Sequence, residues 1–157
     1  MTLSELVTDP SLVIAGLDAA SPEDALRAVA GRLVEAGHVH PSFPDAVVAR
    51  EAEFPTGLPT EPIGVAIPHS DPEHVISTTV ALATLRSPVR FQQMAGEPTD
   101  TVDVSIIVML AVAEAKAQVQ YLSRVIGAIQ DADLTAALLG ASSDQQLLDV
   151  LARTEAG

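Results

Sequence analysis

One apolar run, VDVSIIVMLAV at residues 102–112, constrains the fold of this chain most strongly. Its β-branched residues are typical of a strand, and its nearly continuous apolar character is typical of a strand covered on both faces. The run is also well short of the ~20 residues that a membrane-spanning helix requires. We therefore expect a sheet that lies between two layers of helices, because both faces of such a strand must be covered.

Helical periodicity before and after the strand-like region indicates which segments form those layers. In SPEDALRAVAGRLVEAGHV, Ser21 is placed as the N-cap, Pro22 suits the first helical position, and Gly37 supplies a stop. A second helix is predicted from near Ser42 to just before Pro55. Three further helices are predicted in KAQVQYLSRVIGAIQ, DADLTAALLGA and SSDQQLLDVLAR.

The other strands are predicted in SLVIAGL, VAI, STTVALATL and PVRF, and the segment PTGLPTEPIG is predicted to be a loop because of its prolines and glycines. PVRF is too close to its neighbours for helical crossovers, so some of the pairing must be antiparallel. The sequence therefore predicts one domain over residues 1–157, a three-layer α/β/α sandwich with a mixed parallel and antiparallel sheet.

Charge and composition exclude several classes of function. The net charge is −13, from 21 acidic and 8 basic residues, and no basic run offsets it, so nucleic acid is not an expected partner. The absence of cysteine removes disulfides, thiolate catalysis and cysteine-based zinc sites. The N-terminus lacks the positive start and apolar segment of a signal peptide, so we expect a cytoplasmic protein without direct membrane insertion.

The segment GVAIPHSDPEH at residues 64–74 contains the most informative histidine, His69. Pro68 biases Ile67 toward an extended conformation, so His69 should emerge at the end of a short strand. One interpretation is a purely structural turn. Another is a divalent-metal site formed by His69, Asp71, Glu73 and His74. Pro72 keeps the two histidines off one helical face, and no closed ligand set is visible, so no metal or other cofactor is predicted.

The third interpretation of His69 is a nucleophile. The usual histidine pKa is about 6.5, so most of the imidazole is neutral above pH 7. A neutral imidazole nitrogen attacks without a general base, whereas a serine hydroxyl needs one. No GxSxG element or Ser-His-Asp pattern is visible, so phosphoryl transfer is a better expectation than acyl transfer.

A phosphoryl group on so acidic a protein needs nearby donors. Arg50 lies near the end of the second predicted helix, and a guanidinium matches phosphate oxygens with paired N–H donors. Thr56 and Gly57 could add a hydroxyl and a backbone N–H. The alternative for Arg50 is an ordinary surface ion pair with Glu51 or Glu53.

The motifs RE, PTGL and GVAIPH occur in this order between Arg50 and His69. Together they resemble the type II enzyme IIA family of the bacterial phosphoenolpyruvate-dependent sugar phosphotransferase system (PTS), with its fructose, mannitol, galactitol and nitrogen-regulatory members. The resemblance implies that His69 accepts phosphate, through Nε2, from the histidine-containing phosphocarrier protein (HPr) and passes it to a cysteine of enzyme IIB. It also implies that Arg50 lies beside the active site, and that Thr56 and Gly57 shape the phosphate pocket.

One position departs from part of that family. Mannitol- and fructose-type members carry a second histidine early in the helix after the long central strand, and the matching residue here is Gln118. A glutamine donates a hydrogen bond but carries no charge. Gln118 and the FPTGLPTEP loop resemble the galactitol-type branch, which implies a hexitol, pentitol or related sugar. An exposed helical glutamine without a role is the alternative.

The resemblance leaves three functions open: a transport phosphocarrier, a nitrogen-type regulator in which phosphate on His69 controls protein binding, and a non-catalytic α/β binding domain that has lost its partners. Partners docking at His69 would need an exposed apolar rim, for which Phe54, Leu58 and Ile67 are candidates, although Ile67 suits the core equally well. The remaining histidines are expected to face solvent: His38, His40 and His74.

Overall fold

The computed structural model describes residues 2–156, except for the side chains of residues 154–156. Helices α1 to α6 are, in chain order, Leu3–Leu6, Pro22–Glu35, Phe43–Glu53, Ala115–Ile129, Ala132–Gly140 and Asp144–Ala156. Strands β1 to β5 are Val13–Leu17, Gly57–Leu58, Gly64–Ala66, Thr79–Gln92 and Thr101–Ala111. Two short 3₁₀ turns are Pro10–Leu12 and Pro72–His74. None of the helices in the described range is both long and apolar enough to cross a membrane.

The apolar run at residues 102–112 forms the middle of the sheet as β5, which confirms its expected position. The strand order is β1-β4-β5-β3-β2. Strand β5 is antiparallel to β4 and parallel to β3, while β1 is parallel to β4 and β2 is antiparallel to β3. The predicted mixed sheet is therefore confirmed.

Alternating side chains of β5 enter two separate cores, one on each face of the sheet. Ile107 and Met109 pack with residues of α2 and α3, whereas Ile106 and Val108 pack with residues of α1, α4, α5 and α6. All four side chains are fully buried, and burial of each contributes about 1.5–3 kcal/mol of hydrophobic stabilisation. The predicted three-layer sandwich in a single domain is confirmed.

The helix limits agree with the cap signals where these are local. The Ser21 hydroxyl accepts a hydrogen bond from the Asp24 N–H at the start of α2, and Gly37 adopts a φ of 80° just after its end. The one-turn α1 was not predicted, because four residues are too few for a helical period to be recognised in the sequence.

The prediction of two separate strands in STTVALATL and PVRF was wrong, because both belong to β4. The pairing register with β5 shifts between Thr84 and Val89, and Pro88, which lacks an N–H, lies within that irregular segment. The PTGLPTEPIG segment is not wholly loop either, since it contains β2. Gly57 makes that short strand feasible, because a β-carbon there would lie only 2.6 Å from the Gln92 carbonyl oxygen.

Candidate functional site

His69 lies just beyond the C-terminal end of β3, beside the end of β5. The Leu110 N–H of β5 donates to the Pro68 carbonyl at 3.0 Å, and His69 forms a parallel bridge with Leu110. Parallel β3 and β5 end at the same sheet edge, and α4 begins shortly after β5. His69 therefore lies at the edge where parallel α/β sheets bind their ligands.

The imidazole of His69 is held in one tautomer. Its Nδ1 lies 3.0 Å from the Ile67 carbonyl oxygen, and a carbonyl can only accept, so Nδ1 bears the proton and Nε2 bears the lone pair. Burial lowers the pKa of His69 below its usual value, opposed by the Ile67 hydrogen bond. The positive charge of Arg50 lowers this pKa further, and Asp71 partly offsets that. The ring is therefore neutral at pH 7, as a nitrogen nucleophile must be.

Arg50 lies in the last turn of α3 and reaches across to the segment that follows His69. Its Nη1 donates to Asp71 Oδ1 at 3.0 Å, and the guanidinium lies 5.2 Å from the centroid of the Phe54 ring. The pair that forms is thus with Asp71, not with Glu51 or Glu53, which were the alternatives from sequence. Within the described residues, the buried Arg50 Nε has no hydrogen-bond partner.

Thr56 is engaged differently from the sequence expectation. Its N–H donates to Glu51 Oε2 and its hydroxyl donates to Glu51 Oε1, both at 2.7 Å. Both donors of Thr56 are therefore engaged within the protein. At Gly57, a β-carbon would lie 2.6 Å from the Gln92 carbonyl oxygen, so the close approach of two main-chain segments requires glycine there. Both residues therefore have a structural reason that the sequence analysis did not identify.

Glu51 is the residue of this region that sequence reasoning missed. It is only 9% exposed, and burial raises its pKa to about 7, against the opposing effect of the two hydrogen bonds from Thr56. The signal was present, because Phe43, Val47 and Glu51 follow each other at intervals of four on the buried face of α3.

Glu51 is connected to His69 through a series of hydrogen bonds that passes over the main chain of Thr56 and Ile67. The Thr56 residue that Glu51 holds accepts, through its carbonyl, the Ile67 N–H at 3.4 Å. Ile67 in turn accepts the Nδ1–H of His69. Three contacts therefore link a buried carboxyl group to the ring that carries the nucleophilic nitrogen.

Gln118 lies in the first turn of α4, at the same edge of the sheet. Its Nε2 donates to the Ser70 carbonyl at 3.1 Å, immediately after His69 in the chain. The side chain is partly buried, so the alternative of an exposed glutamine is wrong. The positive end of the helix dipole of α4 also lies at this edge, where it favours negative charge.

A cavity of about 430 Å³ lies beside His69, and its walls include Phe54, Pro55 and Met94. Phe54 is 55% exposed and suits an apolar rim, Leu58 is partly buried, and Ile67 is fully buried in the core. A larger cavity of about 550 Å³ lies between α5 and α6, but none of the candidate residues lines it. Of the candidate residues, His69, Thr56 and Phe54 line the smaller cavity.

The other histidines are partly engaged elsewhere. His38 bonds through Nε2 to Asp9 and through Nδ1 to the Ser77 hydroxyl, a Ser-His-Asp arrangement that the sequence did not reveal. His74 Nδ1 bonds to the Ser42 hydroxyl. The expectation that His38 and His74 face solvent was wrong, since both are partly buried. In the described part of the chain, no three His, Asp or Glu residues converge to hold a metal ion.

A neutral histidine that is held in a single tautomer at a sheet edge, with an arginine beside it, is suited to carry a chemical group on an imidazole nitrogen. Comparison with family models identifies the class of protein. The model described as "Phosphoenolpyruvate-dependent sugar phosphotransferase system, EIIA 2" matches residues 6–154, so the chain belongs to this family. EIIA components are phosphotransferases with a phosphohistidine intermediate, which confirms the predicted family and enzyme class.

Individual relatives agree with this assignment. The galactitol-specific EIIA component of Escherichia coli (strain K12) is 32% identical over 127 residues, which cover 81% of this chain and 83% of the relative. The solution structure of the mannitol-specific cryptic enzyme IIA CmtB from Escherichia coli superposes with a TM-score of 0.77 at 22% identity, covering 98% and 99% of the two chains. The structure of the mannitol enzyme IIA in complex with phosphorylated enzyme IIB, also from Escherichia coli, superposes with a TM-score of 0.74 at 26% identity. The match covers 90% of this chain and 94% of that one.

Proposed function

We propose that the protein accepts a phosphoryl group from HPr on Nε2 of His69 and delivers it to enzyme IIB of a galactitol-like sugar permease. The observation that carries this proposal is the hydrogen bond from His69 Nδ1 to the Ile67 carbonyl, which leaves the lone pair on Nε2. Family membership supports phosphoryl transfer. The galactitol-specific relative supports the sugar class, and the mannitol IIA–IIB complex supports a IIB partner.

In the forward step, the Nε2 lone pair attacks the phosphorus of the donor phosphohistidine. The new N–P bond forms as the donor N–P bond breaks, and the electron pair of the broken bond returns to the donor nitrogen. Nδ1 of His69 keeps its proton, which remains hydrogen-bonded to the Ile67 carbonyl, so the phosphorylated ring is positively charged. When the IIB thiolate attacks the phosphorus, the N–P bond breaks and its electron pair returns to Nε2. The ring departs readily because it leaves as neutral imidazole, so neutral His69 is regenerated without a proton transfer.

Arg50 is the residue that we assign to the charge of the phosphoryl group in transfer. Its guanidinium lies close enough to His69 to lower the pKa of that ring, and its buried Nε–H has no hydrogen-bond partner among the described residues. A preorganised cation at this position stabilises the charge that spreads over the phosphoryl oxygens. We assign Gln118 a supporting hydrogen bond to a phosphoryl oxygen, and Thr56 and Gly57 the shape of the adjoining loop.

Phosphorylation of the intact protein tests the proposal directly. Incubation with phosphoenolpyruvate, enzyme I and HPr should add one acid-labile phosphoryl group by intact mass, and ¹⁵N–³¹P coupling should place it on Nε2 of His69. An unmodified protein in the presence of active phospho-HPr would sink the proposal. Addition of a galactitol-type IIB should then remove the phosphoryl group; a label retained with every IIB tested would favour the nitrogen-type regulatory function instead.

Replacement of Arg50 by lysine should slow phosphorylation by HPr about 10- to 100-fold, because an ammonium cannot reproduce the paired donors of the guanidinium. The rate is measured by rapid quenching and intact mass. Arg27→Lys is the matched control, since Arg27 pairs with Glu23 and Asp45 on the outer surface of α2 and α3. Equal rates for the Arg50 and Arg27 variants would remove Arg50 from the proposed site.

A further inference from the structure

Arg50 has an anionic partner in this structure, and that partner lies two residues after His69. The ion pair joins Arg50 Nη1 to Asp71 Oδ1 at 3.0 Å, with the Asp71 side chain 63% exposed and that of Arg50 34% exposed. The guanidinium carries five N–H donors in a fixed fork. One of them goes to Asp71, while the buried Nε–H has no partner among the described residues.

The segment that carries Asp71 is held by one hydrogen bond from α4 and by one within the segment. The Ser70 carbonyl accepts from Gln118 of α4, and the Ser70 hydroxyl donates to the Asp71 carbonyl at 2.9 Å. The guanidinium of Arg50, in contrast, lies at the end of a long side chain in the last turn of α3. When a new anion forms at His69, the guanidinium can therefore reorient toward it, whereas the main chain at Asp71 stays in place.

We infer that Asp71 is a positioning residue that holds Arg50 while His69 is unphosphorylated and gives it up to the phosphoryl oxygens after transfer. This inference rests on the proposed function of His69. A phosphoryl group offers more negative charge and more acceptor oxygens than a carboxylate, so the fork of Arg50 favours it. The phosphoryl group and Asp71 then repel each other, because two like charges share one small surface.

The exchange affects how readily His69 gives up its phosphoryl group. Each phosphorylation breaks the Arg50–Asp71 pair, and each dephosphorylation restores it, so the pair favours the unphosphorylated protein. Asp71 thereby keeps the phosphoryl group easy to transfer onward. An exposed ion pair contributes little stability, so the expected effect is a several-fold change in equilibrium rather than loss of activity.

The test is the equilibrium distribution of the phosphoryl group between HPr and the protein, measured by intact mass. Asp71→Asn should shift it about 3- to 10-fold toward the phosphorylated protein and slow delivery to IIB. Asp71→Glu should restore the wild-type equilibrium. Glu73→Gln is the matched control, because it removes the same charge from the same segment, while its carboxylate lies beside His74 and not Arg50.

A second measurement follows Arg50 itself. The ¹H–¹⁵N signal of Arg50 Nε should shift on phosphorylation of the wild type, and Asp71→Asn should shift it before phosphorylation. Equal equilibria for wild type and Asp71→Asn, or equal displacement by Asp71→Asn and Glu73→Gln, would overturn the inference but leave the proposed function intact. A wild type that HPr does not phosphorylate would overturn both.

Discussion

His69→Gln should lose phosphorylation by HPr, with the rate falling at least about 1,000-fold. An amide nitrogen has no available lone pair, so the substituted side chain cannot attack phosphorus. Glutamine is close to histidine in length, and its amide N–H can still donate to the Ile67 carbonyl that now accepts from Nδ1. The fold should therefore survive, as judged by circular dichroism and by the thermal midpoint.

His38→Gln provides the matched control for this experiment. His38 is also a partly buried histidine, and each of its ring nitrogens forms a hydrogen bond, Nε2 with Asp9 and Nδ1 with the Ser77 hydroxyl. The His38→Gln variant should be phosphorylated by HPr as fast as the wild type. Retention of the phosphoryl group by His69→Gln, with loss in a variant of His38, His40 or His74, would move the acceptor to that other histidine.

The layers of the fold were predictable because their signals are local. The apolar run at residues 102–112 indicated a strand covered on both faces, and Ser21, Pro22 and Gly37 marked the limits of one covering helix. The spacing around PVRF required antiparallel pairing, which β4 and β5 form. Periodicity and capping act within a few residues, so one sequence is enough to recognise them.

The partners within the site were less predictable because they depend on contacts between distant segments. Nothing local indicates that Arg50 pairs with Asp71, which is 21 positions away in the chain. A glutamate in a helix suggests a solvated surface, yet the packing of α3 buries Glu51 and turns both Thr56 donors toward it. A motif was enough to propose His69 as the acceptor, whereas the groups that hold its ring became visible only in the fold.

Glu51→Gln should remove a pH dependence of stability that the wild type shows between about pH 4.5 and pH 7. The pKa of Glu51 is raised from 4.5 to about 7, chiefly by burial. The folded protein therefore binds the Glu51 proton more tightly than the unfolded chain does. The stabilisation by the neutral carboxyl group is complete below about pH 4.5 and is lost as the pH rises through about 7.

The free energy of unfolding from urea titrations should show this difference. Each pH unit between the two pKa values is worth about 1.4 kcal/mol, so Glu51→Gln should exceed the wild type by about 3 kcal/mol at pH 8 and match it near pH 4.5. Glu53→Gln is the control, because Glu53 is exposed on the same helix and should change neither value. Parallel curves for wild type and Glu51→Gln would mean that Glu51 ionises without cost in the folded state, and that its burial against Thr56 does not perturb it.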